Sequence, residues 1–383
     1  MAKRICIITS IHPDYDARVF RHARAVAEAG YDVDLICPWK PPVVQIPSNL
    51  RIIPFERVTN RLVRPALIVA RILPRLVAKR YDLYHFHDLD LLPLMTMVKL
   101  STRRQVIYDC HENYEQEMLT RSYRIPPWSR RGLAWAVKWT ERVAAGVLRE
   151  VVIVTPQQKP TFPAPWFHTT LVRNFAELGL EEGRVDDLAT RPDACISTAS
   201  QYVSNGALLF LEVAREVVKR RPHVQFYAID RFGTDLPLRE QVLARVRDSG
   251  LAANFSLLPN VSPPAIMTLL NRATIGLSIN LPTPKQVGAL PIKLVEYMAA
   301  GLPVVASDLP NIRQVAEEAG NILLASPGDA KSFADHICTL VDNRPLGVIL
   351  GQRGLQAFRE RLNWELEMEK MLKMYQRLLE KAS

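Results

Sequence analysis

The sequence predicts an α/β chain built as two Rossmann-like, doubly wound parallel-sheet domains facing a cleft, and three observations predict it. Short apolar runs alternate with segments of helical periodicity through both halves of the chain. A stretch rich in proline and aromatics, Pro156–Asn174, lacks that periodicity and separates the halves. The length of 383 residues with 48% hydrophobic content fills two cores, and two domains of roughly 170–200 residues are the usual solution at this size.

Taken in order, Arg4–Thr9 is an Ile-rich run suited to a central parallel strand. Val19, Ala23, Val26 and Ala27 then recur at helical spacing until Gly30 caps the helix. Val33–Cys37, Tyr81–Phe86, Gln105–Tyr108 and Val151–Val154 read as further strands of the first half. The second half restarts with a strand near Cys195–Thr198, a helix over Ala207–Lys219, a strand at Val224–Ile229 and a helix at Leu238–Asp248. Asn254–Leu258, Ile275–Ile279 and Pro303–Ala306 complete its strands. The expected divisions are 1–172, 173–360 and a terminal helical segment, 361–383.

Composition narrows the function. Five dispersed cysteines without CxxC spacing argue for a reducing cytosol and against a disulfide framework. No signal peptide is expected, and no run approaches the ~20 apolar residues of a spanning helix, so the expectation is a cytoplasmic chain, soluble or peripheral on the inner membrane face. The formal charge of +10 is uneven: residues 1–150 hold 24 Lys and Arg against 15 Asp and Glu. A basic surface therefore belongs to the first domain.

The most informative segment is Ala289–Pro310, ALPIKLVEYMAAGLPVVASDLP. Pro291 suits the first turn of a helix that Gly301 ends, and Lys293 and Glu296 share one face. The helix start offers N–H groups to an anion, and one turn on Glu296 can accept two hydrogen bonds from a diol such as ribose. This segment closely resembles the donor-binding signature of family-four glycosyltransferases of GT-B fold. Asp16-Ala-Arg18-Val-Phe20, His85-Phe-His87-Asp88, Tyr108-Asp-Cys-His111-Glu112, Val172-Arg173-Asn174-Phe175 and Asn363-Trp364-Glu365 resemble that family's other segments in the same order.

The resemblance implies an acceptor-binding first domain, a donor-binding second domain and a terminal helix crossing back to the first. It implies donor contacts from Glu296, Lys293, Pro291, Arg231, Ser200, Asn205 and Tyr297, acceptor contacts from Asp16, Arg18, His111 and Glu112, and catalytic roles for His87 and Asp88. Two departures stand out. Gly288 replaces the first of two glutamates, which many members with a Pro-x-Lys-x-x-Glu-Tyr segment also lack. More seriously, Ala199, Ser200 and Asn205 stand where the family has basic groups for the donor diphosphate, leaving Arg231 and Lys293 as the candidate cations.

His85 and His87 lie on one face of a strand, and a metal site would need a third ligand such as His111. No HExxH pattern accompanies them, so no metal is expected. Arg61, Arg64, Arg71, Arg75 and Lys79 fall within an arc of roughly 80° on a helical projection, opposite Leu62, Val63, Ala66, Leu73 and Val77. Arg131, Trp135, Lys138, Trp139 and Arg142 share an arc of roughly 100°. Tryptophan among cations suits an anionic membrane surface, or a solvated face over a buried stripe. Nucleic acid is not expected, because no binding module accompanies the charge.

The resemblance implies transfer of a sugar from a nucleotide-sugar co-substrate, with no cofactor, to a glycolipid or polysaccharide acceptor, retaining and metal-independent. An inert GT-B scaffold and a nucleotide-sugar epimerase are the alternatives.

Overall fold

A computed structural model describes residues 2–10, 17–38, 46–56, 58, 63–111, 114–120, 126–177, 188–233, 235–261, 265–290 and 292–381. The chain divides into two compact units, Met1–Asn174 with Glu367–Ser383, and Phe175–Leu366.

The first unit runs β1 (Arg4–Ile8), α1 (Ala17–Glu28), β2 (Asp32–Cys37), β3 (Leu50–Pro54), α2 (Arg64–Ala78), β4 (Leu83–Phe86), α3 (Leu92–Thr102), β5 (Gln105–Cys110), α4 (Tyr114–Thr120), α5 (Pro127–Leu148), β6 (Glu150–Ile153) and β7 (His168–Leu171). Its sheet has the order β3-β2-β1-β4-β5-β6-β7, with every described pair parallel. β1, β4 and β5 are buried on both faces because helices cover both, which is why they read as continuous apolar runs.

The second unit repeats the plan with β8 (Ala194–Ser197), α6 (Ala207–Arg220), β9 (Gln225–Ile229), α7 (Leu236–Asp248), β10 (Phe255–Leu258), α8 (Ile266–Leu270) and β11 (Ile275–Ser278). Then come α9 (Pro284–Gly288), α10 (Lys293–Ala299), β12 (Val304–Ser307), α11 (Pro310–Ala319), β13 (Ile322–Ala325), α12 (Ala330–Asp342), α13 (Arg344–Glu360) and α14 (Trp364–Glu380). The sheet order is β10-β9-β8-β11-β12-β13, again parallel. In each unit the order reverses beside the first strand, at β1/β4 and at β8/β11. The carboxyl ends of the strands at such a reversal form the crevice where open α/β sheets bind ligands.

From Glu367 onward α14 belongs to the first unit. The fully buried Glu367 carboxylate accepts from the Arg173 backbone N–H and Nε, each at 2.9 Å. Further along, Arg377 donates to Glu150 at 2.6 Å.

Two sequence expectations need correction. Arg64 is not on a solvated face: it is buried, donating to the Val58 carbonyl at 2.8 Å and facing Asp90 at 3.4 Å. The apolar face of α2 is Ile68, Ile72 and Leu76, while Val63 and Val77, expected inside, are exposed. The helix is thus rotated from the expected projection: Ile68, Ile72 and Leu76 form an i, i+4, i+8 stripe that the core takes in, and Arg64 in the first turn finds polar partners inward. Arg71 and Arg75 are exposed as expected, and Arg71 faces Glu56 at 3.4 Å. Arg61 lies outside the described residues.

The inner face of α5 buries Glu141, whose Oε1 accepts from the Tyr108 hydroxyl at 2.7 Å and lies 3.5 Å from Cys110 Sγ. Burial pushes its carboxyl from 4.5 up to about 7, the hydrogen bonds from Tyr108 and Cys110 opposing and the nearby Glu115 adding to the rise. A raised carboxyl binds its proton more tightly in the folded chain, so stability falls as pH rises from the unfolded value to the folded one. Glu141→Gln should remove that fall. Chemical denaturation should show the variant gaining on the wild type between pH 5 and 8, by on the order of 2–3 kcal/mol.

Candidate functional site

At the β1/β4 reversal, Thr9 and Ser10 follow β1 while His87 and Asp88 follow β4. The Asp88 carboxylate joins the two strand ends, accepting from Thr9 Oγ1 and from the Ser10 N–H, both at 2.6 Å. Asp90 accepts from Ser10 Oγ in turn. Asp88 and His87 are both buried, at 2% and 0% exposure. The two residues expected to do chemistry therefore sit behind the surface, and Asp88 is occupied in fixing the loop.

His87 belongs to a buried hydrogen-bonded array. Its Nδ1 is 2.7 Å from His111 Nε2, and its Nε2 is 3.2 Å from Nδ1 of His22 on α1. His22 Nε2 is 3.0 Å from the Tyr375 hydroxyl of α14, which is 2.7 Å from His85 Nδ1. His85 Nε2 reaches Asp109 Oδ2 at 3.4 Å, the same oxygen that lies 3.4 Å from His87 Nδ1. Arg18, expected at the acceptor, is buried against Asp109 at 3.2 Å.

Burial pulls His22 and His87 well below the ordinary histidine value and His85 below it, outweighing the attraction of Asp109. Burial opposes ionisation at Asp109, but Arg18, His111, His85 and His87 more than offset it, and the carboxyl lies well below its ordinary range. The interior thus holds neutral imidazoles around one carboxylate. His111 alone of the four rings reaches the surface, with 10% of its side chain accessible. Asp16, Glu112 and Pro291 lie outside the described residues.

Two trios, His22/His85/His87 and His87/Asp109/His111, bring ligand atoms within the 4.8 Å that a metal ion could span. The 2.7 Å separation of His87 Nδ1 and His111 Nε2 is that of a hydrogen bond. Two nitrogens on a tetrahedral ion at ~2.0–2.1 Å stand about 3.3 Å apart. The spacing suits shared protons better.

At the β8/β11 reversal, the Tyr297 hydroxyl accepts from the Thr198 N–H at 3.0 Å and donates to the Leu277 carbonyl at 3.1 Å. Tyr297 is fully buried, and a Cβ on Gly276 would meet its ring at 2.5 Å, so glycine is what lets α10 lie this close. Tyr297 therefore positions the loop after β8 and presents no free surface to a donor. Glu296 lies beside it, 3.5 Å from Thr198 Oγ1. Lys293 is one turn earlier on α10 and makes no hydrogen bond or ion pair among the described residues. Burial lowers its ammonium pKa; Glu296 opposes that and Arg231 adds to it, which places the three in one electrostatic neighbourhood. Arg231, just past β9, donates to Asn260 at 2.9 Å and has no acidic partner among the described residues.

Asn205 is spoken for. Its amide donates to the Ser200 carbonyl at 2.8 Å and accepts from Gln286 at 2.5 Å. Gln286 continues to Asn280 at 2.7 Å, and Asn280 to Ser278 at 3.0 Å. A neutral amide ladder thus occupies the place where a cation was missing, with Ser200 contributing its backbone.

Both halves of the chain match glycosyltransferase profiles: "Glycosyltransferase Family 4" over residues 17–162 and "Glycosyl transferases group 1" over 194–343. The chain belongs to glycosyltransferase family four.

This glycosyltransferase is 29% identical over 175 residues to a phosphatidyl-myo-inositol mannosyltransferase of Mycobacterium tuberculosis, and 36% over 85 residues to that of Mycobacterium leprae. Those matches cover 45% and 22% of this chain and 43% and 22% of the relatives, so the chain spans less than half of either. Its GT-B fold is shared with sucrose-phosphate synthase from Thermosynechococcus elongatus, at TM-score 0.75 and 18% identity over 99% of this chain and 100% of that one. Anabaena HepE in complex with UDP-glucose matches at TM-score 0.73 and 13% identity, over 98% and 99%.

Sequence reading missed His22, Tyr375 and the Gln286–Asn280 ladder of this glycosyltransferase. Asp109 stood inside the quoted Tyr108–Glu112 motif, and its place between two histidine-bearing segments was the available signal. Nothing local marks Tyr375, which lies 290 residues from its partner His85.

Proposed function

We propose that this glycosyltransferase moves a sugar from a nucleotide-sugar donor to a lipid-linked or polysaccharide acceptor, with retention at the anomeric carbon and without an essential metal. The observation that carries the donor reading is the grouping of Lys293, Arg231 and Glu296 at the carboxyl edge of the second sheet. Two cations without acidic partners among the described residues stabilise the charge that develops on a leaving diphosphate, work that a metal ion would otherwise do. Glu296, one turn along the same helix, accepts from ribose hydroxyls. UDP-glucose bound to the structurally similar HepE supports the donor class, and the phosphatidyl-myo-inositol acceptor named for the mycobacterial relatives supports a lipid-linked acceptor.

Calorimetric titration with UDP-, GDP- and ADP-linked sugars should find one nucleotide that binds. Glu296→Ala should weaken that nucleotide by about 1–3 kcal/mol, the worth of charged hydrogen bonds, with little change in melting temperature. Equal affinity in both proteins removes Glu296 from the site.

The acceptor reading adds an anionic membrane surface on the cytosolic side. None of the described helices is long and apolar enough to cross a membrane. On α5, Trp128, Trp135, Trp139 and Val143 are all exposed along one stripe, with Trp135 and Trp139 rings 6.2 Å apart. Arg131 flanks them, and Arg142 lies over the Trp139 ring at 5.6 Å. Lys138, expected there as a free cation, is half-buried and paired with Glu115 at 2.8 Å. Exposed tryptophans beside arginines partition into a headgroup layer. Vesicles containing anionic lipid should recruit the protein, and salt should release it. Trp135→Ala with Trp139→Ala should weaken binding and leave the salt dependence. Equal binding to neutral and anionic vesicles would remove the membrane reading.

A further inference from the structure

We propose that Gln286 is a positioning residue of the donor crevice, tying the loops that follow β8, β11 and β12 into one rim whose shape sets donor affinity. Its use rests on the reading above, in which the nucleotide-sugar is held at the carboxyl edge of the second sheet.

β8, β11 and β12 are neighbours in that sheet, so their carboxyl ends open side by side. Gln286 reaches all three. Its side chain donates to Asn205, in the loop after β8, and accepts from Asn280, two residues beyond β11, at 2.5 and 2.7 Å. Its backbone carbonyl accepts from Asn311, in the first turn of the helix after β12, at 3.0 Å. Asn311 also donates to the Ala289 carbonyl, so the segment that leads into α10 rests on α11 at both 286 and 289. Further contacts join the same loops. The Leu281 N–H donates to the Ser204 carbonyl at 3.0 Å, and the Asn280 N–H to Ser307 Oγ, at the end of β12, at 2.8 Å. A Cβ on Gly206 would meet Ile279 at 2.5 Å, so the start of α6 lies directly on the residue after β11.

The direction of the amide ladder is fixed by one end. The Ser200 carbonyl can only accept, so Asn205 turns its amide nitrogen to it and its oxygen to Gln286. Gln286 must then give its nitrogen to Asn205 and its oxygen to Asn280, whose own oxygen accepts from the Ser278 hydroxyl. Flipping any one amide would set two oxygens or two nitrogens face to face. A side chain that cannot both donate and accept therefore cannot replace Gln286, which is buried at 8% exposure.

The residues expected at the donor hang on this rim. Ser200 and Asn205 lie in its first loop, and Lys293 and Glu296 on the helix into which its second loop leads. The Arg231 carbonyl accepts from the Gln201 N–H at 2.8 Å, which joins the segment after β9 to the same rim. With the rim fixed in advance, donor binding does not have to order the loops. Releasing them should raise KM and leave kcat nearly as it was, because ground state and transition state lose the same preorganisation. Gln286 touches no donor in this scheme and acts through the loops.

Gln286→Met keeps the length of the side chain and removes both of its hydrogen bonds. In hydrogen exchange on the full-length protein, the Asn205, Leu281 and Val287 amides should open at least about tenfold faster, while those of β8, β11 and β12 hold. Calorimetry should find the nucleotide that the wild type binds weakened about tenfold per folded molecule. Turnover should show KM raised by a similar factor, with kcat within about threefold. Asn205→Ala breaks the same link from its other end, so the double variant should lose much less than the product of the two single losses. Where Gln286→Met does not fold, Asn205→Ala is read in the same way. A role confined to stability lowers melting temperature and leaves the rim amides and the nucleotide affinity of folded protein unchanged, and that result overturns the proposal. Single losses that multiply in the double variant overturn it as well. A wild type that binds no nucleotide overturns the reading of function instead, and exchange at the rim amides still decides whether Gln286 ties the loops.

Discussion

Arg231→Ala and Lys293→Ala are each expected to lower kcat/KM for sugar transfer by 10²–10³, the usual cost of removing one group aimed at developing charge. The double variant should fall to background. Folding should survive both changes, because Lys293 makes no hydrogen bond among the described residues and Arg231 makes an exposed one to Asn260. Loss of Lys293 also removes an ammonium whose burial costs energy, so melting temperature should hold or rise. The complementary substitution, Ser200→Arg with Asn205→Lys, places cations where the family resemblance implies them. A lysine at position 205 breaks the Gln286 bond of the amide ladder, so in this chain it should reduce turnover. Single-turnover rates on the identified donor check both. Wild-type turnover in the double alanine variant would show that the diphosphate is held elsewhere.

How much of this was legible in the sequence follows from what each residue's neighbours are. Central strands such as Arg4–Ile8 and Ala194–Ser197 bury both faces, so their composition alone gave them away. The edge strands Leu50–Pro54, His168–Leu171 and Ile322–Ala325 bury only part of their surface and carry polar or intermediate positions, and all three escaped the pattern. His168–Leu171 was hidden inside the proline-rich stretch taken for a boundary. The donor-side helix was legible because cap, cation and carboxylate fall within one turn. The histidine array was not, because four elements far apart in sequence supply its members. Sequence could place His87 at a strand end, but it could not show that α1 and α14 close over it. Likewise Arg64 reads as one more surface cation until Val58 and Asp90 are seen to hold it inward.

The second large effect expected concerns Asp109 and Arg18, a buried ion pair at 3.2 Å. Asp109→Asn should cost about 3–5 kcal/mol of stability near pH 7, because breaking such a pair leaves a buried guanidinium without this carboxylate. The sign of the pH dependence follows from the depressed carboxyl. A group whose folded value lies below its unfolded one stabilises above the unfolded value, near 3.8, and that contribution is lost as pH falls through the folded value. The gap between Asp109→Asn and wild type should therefore be widest near neutrality and shrink in acid. Arg18→Met should be destabilising for the mirror reason, since Asp109 then loses its one permanently charged partner and keeps only the histidines. Combining Arg18→Met with Asp109→Leu removes both charges together and should restore part of the loss, because buried pairs replaced by apolar groups of similar size lose little. Urea denaturation of the four proteins gives the coupling directly. Single variants that simply add up in the double would mean that the pair contributes nothing specific, and that Asp109 stays ionised on account of the histidines alone.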